Sequence, residues 1–336
     1  MHKSLKDISW LVDEQTYRAD NSLSYSKLSQ FFKNGPKALI SNEKIDTPAL
    51  RAGSTVDCLL TAPEEFDDRF YVADIDKFSD TIRKIVEEIY FVHGAFSNEF
   101  LDITDNELLE IIDKFEYQTN WKSETRVKKL IELGSDYYTV LKYSTGKIVI
   151  SPKEFNEAIQ CVQTLKTHPF TYKIFECDED EEIFYQLKFK TKIDNIPFRF
   201  MMDICKVNHK KRTILPIDLK TSGKSSELFE KSFLDWAYWI QGSSYSAGLN
   251  KIISEDDYFK NFKILPFQFL VINKNDLYPL IWEMNENDTI KFTIENYGCN
   301  WRGLLNSANW HLQNGKFDYS RKSYENNGCN PIILKL

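Results

Sequence analysis

Asp203, Asp218 and Lys220 are the residues whose types and spacing point to chemistry. Asp218 and Lys220 lie two residues apart, and successive side chains on a strand alternate faces, so both point the same way; an antiparallel neighbour can bring Asp203 beside them. Two carboxylates next to a lysine make a hard oxygen site suited to Mg²⁺, which takes one or two carboxylates together with waters and substrate phosphate. Such a site can hydrolyse a phosphodiester: the cation polarises the phosphate and acidifies a water, and the lysine orients that water or offsets transition-state charge. Asp-x-Lys alone is a weak signal, because charged residues on strands usually face solvent. Apolar Leu215, Ile217 and Leu219 sharpen it, since they make this strand buried on one side with its charges gathered on the other.

These residues need strands to carry them. After Asp178 the hydrophobic period becomes two: strands are expected over Phe184 to Ile193, Phe198 to Val207 and Thr213 to Lys220, with turns at Asp194-Asn195 and Asn208 to Arg212. A long helix is expected from Phe233 to Leu249, strands from Phe267 to Ile272 and Tyr278 to Glu283, and a closing helix from Asp288 to Gln313. Upstream, Ser24 or Ser26 can cap a helix whose apolar face includes Leu28, Phe31 and Phe32. A second helix, Ala49 to Leu60, buries Leu50, Val56, Leu59 and Leu60, with Asp57 beside that stripe as either a locally paired acid or a ligand. Asp76 to Tyr143 is strongly helical and carries no chemical motif, and Ser151-Pro152-Lys153-Glu154 opens a further helix with a capping box. Strands, helix and further strands make an α/β sandwich of one mixed sheet flanked by helices.

The chain has 336 residues, 42% of them hydrophobic and 14% aromatic, the balance of a packed protein. A net charge of -7 argues against a broadly basic surface that grips nucleic acid non-specifically, although a local cluster of cations can still accept a phosphate backbone. Lys188, Lys190 and Lys192 alternate along one strand, and Lys206, Lys210, Lys211 and Arg212 crowd the next turn, which suits either a backbone track or a solubilising edge. No leader or long apolar run stands out, so a soluble intracellular protein with no membrane partner is expected. The six cysteines form no CxxC pair and read as buried thiols; with Cys299 and Cys329 far apart, no iron–sulfur cluster is expected. HExxH, GxSxG and Walker A patterns are missing, leaving zinc protease, serine hydrolase and P-loop readings without support.

Pro216-Ile217-Asp218-Leu219-Lys220-Thr221 resembles the Asp-x-Lys-Thr signature of RecB-like PD-(D/E)XK nucleases, and Gln241-Gly242-Ser243-Ser244-Tyr245 resembles the Gln-x-x-x-Tyr motif that follows it there. Four residues make about one helical turn, so Gln241 and Tyr245 share a face. Tyr25-Ser26-Lys27-Leu28 with Gly35-Pro36, then Ala52 to Leu60 and Pro63 to Phe66, is similar to the N-terminal part of exodeoxyribonuclease VIII (RecE)-like and phage recombination exonucleases; Gly146 to Ser151 through Thr167-His168-Pro169 is similar to the segment before their core strands.

The resemblance implies a PD-(D/E)XK, restriction-endonuclease-like core at 146–336, an N-terminal helical part of the same domain at 1–75 and a helical insertion at 76–145. It implies a Mg²⁺-dependent 5′-to-3′ double-strand DNA exonuclease that leaves 3′ overhangs for recombination or repair, with Mn²⁺ able to substitute. Asp203 and Asp218 would bind the metal with the Leu219 carbonyl, Asp57 would complete the shell, Lys220 would activate water, and Gln241 and Tyr245 would position the lysine or the DNA. Asp57 stands where these relatives usually carry a histidine, a departure that still offers an oxygen to a hard cation. Duplex DNA ends, a single-strand annealing protein and further copies of the chain in a ring are the implied partners, in the cytoplasm of a bacterial or phage-infected cell. A structure-specific or nicking endonuclease with the same centre, and a catalytically weakened DNA-binding module, are the alternatives.

Overall fold

Caps and turn residues set the ends of most elements in the computed structural model, which describes residues 2–41, 47–97 and 99–330. The last stretch of the expected core, 331–336, lies outside the described residues. In chain order the elements are α1 (Glu14–Ala19), α2 (Tyr25–Asn34), α3 (Pro48–Thr61), α4 (Phe66–Arg69), β1 (Phe70–Val72), α5 (Asp80–His93), α6 (Asp105–Lys114), α7 (Ser123–Tyr143), β2 (Ile148–Ile150) and α8 (Pro152–Thr167). Then come β3 (Glu181–Ile193), β4 (Ile196–Asn208), β5 (Thr213–Ser222), α9 (Phe229–Asp235), α10 (Tyr238–Ser254), β6 (Lys263–Ile264), β7 (Gln268–Asn273), β8 (Pro279–Glu283), α11 (Glu286–Tyr297), α12 (Trp301–Asn314) and α13 (Arg321–Glu325).

The chain forms two compact units, one of Met1–Ala62 with Gln160–Leu336 and one of Pro63–Ile159. The second is wider than the helical stretch expected at 76–145, because β1 and β2, on either side of that stretch, pair in parallel from Phe70↔Ile148 to Val72↔Ile150. Its helices bury the periodic positions Ile82, Ile85, Val86 and Ile89 of α5 and Leu108, Ile111 and Ile112 of α6 against Val127 and Leu130 of α7. Thr104 and Glu107 cap α6 reciprocally, which satisfies donors that its first turn leaves over.

The first unit is α/β, built on a six-stranded mixed sheet in the order β3-β4-β5-β7-β8, with β6 also paired to β5. Ile193 pairs with Ile196 across Asp194 and Asn195, whose φ values of 52° and 65° are those a tight two-residue hairpin requires. β4 and β5 pair antiparallel, β5 and β7 parallel, and β7 and β8 antiparallel. A parallel pair needs a long crossover, and α9 and α10 supply it. Buried Gly248 on α10 lets the helix lie against the sheet: a Cβ there would sit 2.5 Å from the ring of Phe200.

Several expectations change. The helix expected from Phe233 to Leu249 is two helices, because Ala237 adopts a left-handed backbone (φ 55°) between them. The closing helix is likewise broken, at Gly298 (φ 71°). Ser24, and not Ser26, caps α2 through Lys27 N. Leu50 is exposed while Val56 and Leu60 are buried, since the first turn of α3 projects beyond the core. Cys58, Cys161 and Cys205 are buried, but Cys177 and Cys329 are exposed. Among the described residues no helix is long and apolar enough to cross a membrane.

Candidate active site

The register of the two inner hairpins accounts for the site. β4 pairs with β5 as far as Ile204↔Ile217, and the next step along that register sets Asp203 opposite Asp218. There the side chain takes over from the ladder, as Asp203 Oδ2 accepts from the Leu219 amide at 2.9 Å. On its other flank β4 pairs with β3 at Tyr185↔Ile204 and again at Leu187↔Met202, but the intervening pair, Gln186 and Asp203, is missing. Gln186 has φ 48°, a left-handed conformation rare inside a strand. Asp203 therefore sits at the point where β4 is released from both neighbours.

The charges of β5 do gather on the face opposite Ile217 and Leu219, but that face is covered too: Asp218 is 2% exposed, and Ile217, Asp218 and Leu219 are all buried. Burying a carboxylate demands partners. Lys220 Nζ lies 2.5 Å from Asp218 Oδ2, an ion pair without hydrogen-bond alignment, and Gln241 Nε2 donates a short hydrogen bond to Asp218 Oδ1. The Gln241 Oε1 atom is buried with no hydrogen-bond partner among the described residues. Lys220 Nζ also lies over the Tyr238 ring, 4.5 Å from its centroid.

Charge in this cluster is poorly balanced. Burial pushes the Asp203 carboxyl well above its ordinary value, and the negative charges of Asp218 and then Asp57 push it further; the Lys220 ammonium and the Leu219 amide only partly offset them. Burial works to lower the lysine, but the adjacent Asp218 outweighs it, and Lys220 is held above its usual range as a firm cation. Asp57, on α3, accepts from Gln186 Nε2 at 2.9 Å.

Asp203, Asp218, Leu219, Lys220 and Gln241 are thus in one place. Gln241 holds Asp218 and not the lysine. Tyr245 is buried among aromatics, edge-on to Tyr25 and 5.3 Å from Phe200 between centroids, so it packs the helix that presents Gln241. Asp57 is near enough to act on Asp203 electrostatically, yet among the described residues no three His, Cys, Asp or Glu side chains converge as a metal-holding group. The donor set still fits a hard divalent cation, because Mg²⁺ commonly takes only one or two carboxylates and completes its shell with water. Two buried oxygens of the cluster, Asp218 Oδ2 and Gln241 Oε1, have no hydrogen-bond donor among the described residues, and a cation there would also relieve the repulsion that raises the Asp203 carboxyl.

The basic track expected on β3 is partly committed elsewhere. Lys188 donates to Val12 O at 3.0 Å, Lys190 pairs with Asp20 at 2.5 Å, and Lys206 pairs with Glu181 at 2.9 Å. Lys192, Lys211 and Arg212 are exposed. Sequence reasoning missed Gln186, whose backbone conformation has no local signature, and the Tyr238 ring over Lys220. Neither models of known protein families nor curated protein sequences match this chain.

Proposed function

We propose that the chain is a Mg²⁺-dependent deoxyribonuclease of the PD-(D/E)XK type, acting on duplex DNA ends as a 5′-to-3′ exonuclease that leaves 3′ overhangs for recombination or repair. The observation that carries this reading is the meeting of Asp203, Asp218 and Lys220 on adjacent strands, with Gln241 of the following helix bonded to Asp218. Polarity, the recombination role, a ring of copies and an annealing partner rest on the motif resemblance alone.

Asp203, Asp218 and the Leu219 carbonyl would hold the cation, with Mn²⁺ as a substitute. When bound, it supplies positive charge to the scissile phosphate and acidity to a water. Lys220 stays protonated because Asp218 stands beside it, so it donates hydrogen bonds to the water or to a phosphate oxygen and offsets charge as the transition state forms. Gln241 keeps the Asp218 carboxylate aligned, and Leu219 N–H fixes that of Asp203.

The test is digestion of linear duplex DNA labelled at its 5′ or 3′ ends, with covalently closed circles and an Asp218→Asn protein alongside. Release of 5′ label from linear DNA only, lost in the variant, is the expected result. Cleaved circles would instead identify an endonuclease, and no cleavage with Mg²⁺ or Mn²⁺ would contradict the reading. A monomeric mass in light scattering would rule out the ring.

A further inference from the structure

Gln186 is held in a conformation that its sequence does not favour. A non-glycine residue with φ 48° in the middle of a strand costs free energy, and such positions persist where the surroundings over-determine them. Here the surroundings are specific. The Nε2 atom of Gln186 lies 2.9 Å from Asp57 Oδ2 and 2.7 Å from Thr61 Oγ1, so both amide hydrogens are used on two residues one turn apart on α3. A carboxylate only accepts hydrogen bonds, which fixes which end of the amide faces Asp57. Thr61 Oγ1 in turn donates to the Asp57 carbonyl at 2.7 Å, tying Thr61 to the same residue. The same Gln186 stands at the missing ladder position opposite Asp203.

We propose that Gln186 is a positioning residue: it fixes the Asp57 carboxylate beside Asp203, as a third negative charge acting on a divalent cation held by Asp203 and Asp218. This rests on the metal-dependent reading above. The strain and the hydrogen bonds serve one purpose, since a relaxed extended Gln186 would pair with Asp203 in the ladder and withdraw its amide from α3. Groups that orient metal-site residues without touching the metal commonly change affinity or activity by about 10–100-fold when removed.

The test uses Gln186→Gly, Gln186→Glu and Asp57→Asn in the full chain, with Mn²⁺ binding followed by calorimetry on DNA-free protein and cleavage measured separately. Glycine suits φ 48°, so Gln186→Gly relieves the strain while deleting the amide, which offsets part of the two lost hydrogen bonds, and cooperative unfolding is expected to be retained. Gln186→Glu keeps the shape but sets a carboxylate against Asp57. Both variants are expected to bind Mn²⁺ about 10–100-fold more weakly than the wild type. In an Asp57→Asn background, Gln186→Gly should add little further loss, because the amide acts through that carboxylate. Wild-type Mn²⁺ affinity in Gln186→Gly, or full additivity with Asp57→Asn, would overturn the proposal. Wild-type protein that binds Mn²⁺ but cuts no DNA would defeat the nuclease reading and leave the role of Gln186 to be judged by these affinities. Protein that binds no Mn²⁺ would defeat both.

Discussion

The same β4–β5 hairpin carries two polar clusters, each around a buried side chain, and they are built on opposite terms. Past the turn end of β4, His209 is 6% exposed and both of its ring nitrogens are partnered, Nε2 with Glu182 at 3.0 Å and Nδ1 with the Tyr258 hydroxyl at 3.1 Å. Its ring stacks on His2 at 4.3 Å between centroids, and His2 Nδ1 meets the same hydroxyl. One O–H can donate to one ring and accept from the other, so this cluster is closed. Further along the hairpin, Lys220 pairs with Asp218 and offsets Asp203 only from a distance, Gln241 leaves an oxygen without a partner among the described residues, and Gln186 is strained. The satisfied network around His209 reads as structure, whereas the cluster that stays short of positive charge, with its ladder interrupted, has the perturbed electrostatics on which the proposed function rests.

The comparison predicts opposite responses to mutation. The largest effects are kinetic, and Lys220→Ala should slow single-turnover cleavage of duplex DNA by about 100–1,000-fold, the loss typical of removing one charge-stabilising group. At the other cluster His209→Ala should leave that rate unchanged and cost about 1–3 kcal/mol of stability by removing a buried ring that packs on Tyr258 and Phe262, as read from urea unfolding. A rate loss in His209→Ala would break the distinction. Gly248→Ala should cost about 1–3 kcal/mol, because the added methyl meets the fixed ring of Phe200, with little change in catalysis once folded. Asp203→Asn should abolish cleavage yet stabilise the metal-free protein by about 1 kcal/mol, since it removes a charge that the fold holds at a cost.

The smallest effect is in pH dependence. The folded Asp203 carboxyl keeps its proton at pH values where the unfolded chain, at the ordinary 3.8, has lost it. In that window the folded state binds more protons, so this group contributes less stability as pH rises from 3.8 toward its elevated folded value. Without metal, the wild type minus Asp203→Asn difference in unfolding free energy should therefore fall with rising pH across that range. A flat difference would show that Asp203 titrates alike in the folded and unfolded chains, and would contradict the raised carboxyl.

How far the sequence disclosed this depends on how local the cause is. Alternation after Asp178 and the Asp194-Asn195 pair define the hairpins, and two-residue spacing then puts Asp218 and Lys220 together, so the core of the site was legible. The left-handed Ala237 was not, because alanine is a strong helix former and nothing around it marks a break. Gln186 was hidden for a similar reason: its conformation comes from α3, far away in sequence, and not from its neighbours in β3. The lysines of β3 looked available because their partners, Val12 and Asp20, also lie far off in the chain. Gly298 did carry a signal, which the helical periodicity on either side of it masked.

The most direct test of the central claim is a Mg²⁺ titration of melting temperature for the wild type, Asp203→Asn and His209→Ala. A ligand that binds only the folded state raises stability by mass action. The account predicts a saturable rise for the wild type and for His209→Ala, and none for Asp203→Asn. No rise in the wild type, or an equal rise in all three, would contradict a cation site at Asp203 and Asp218.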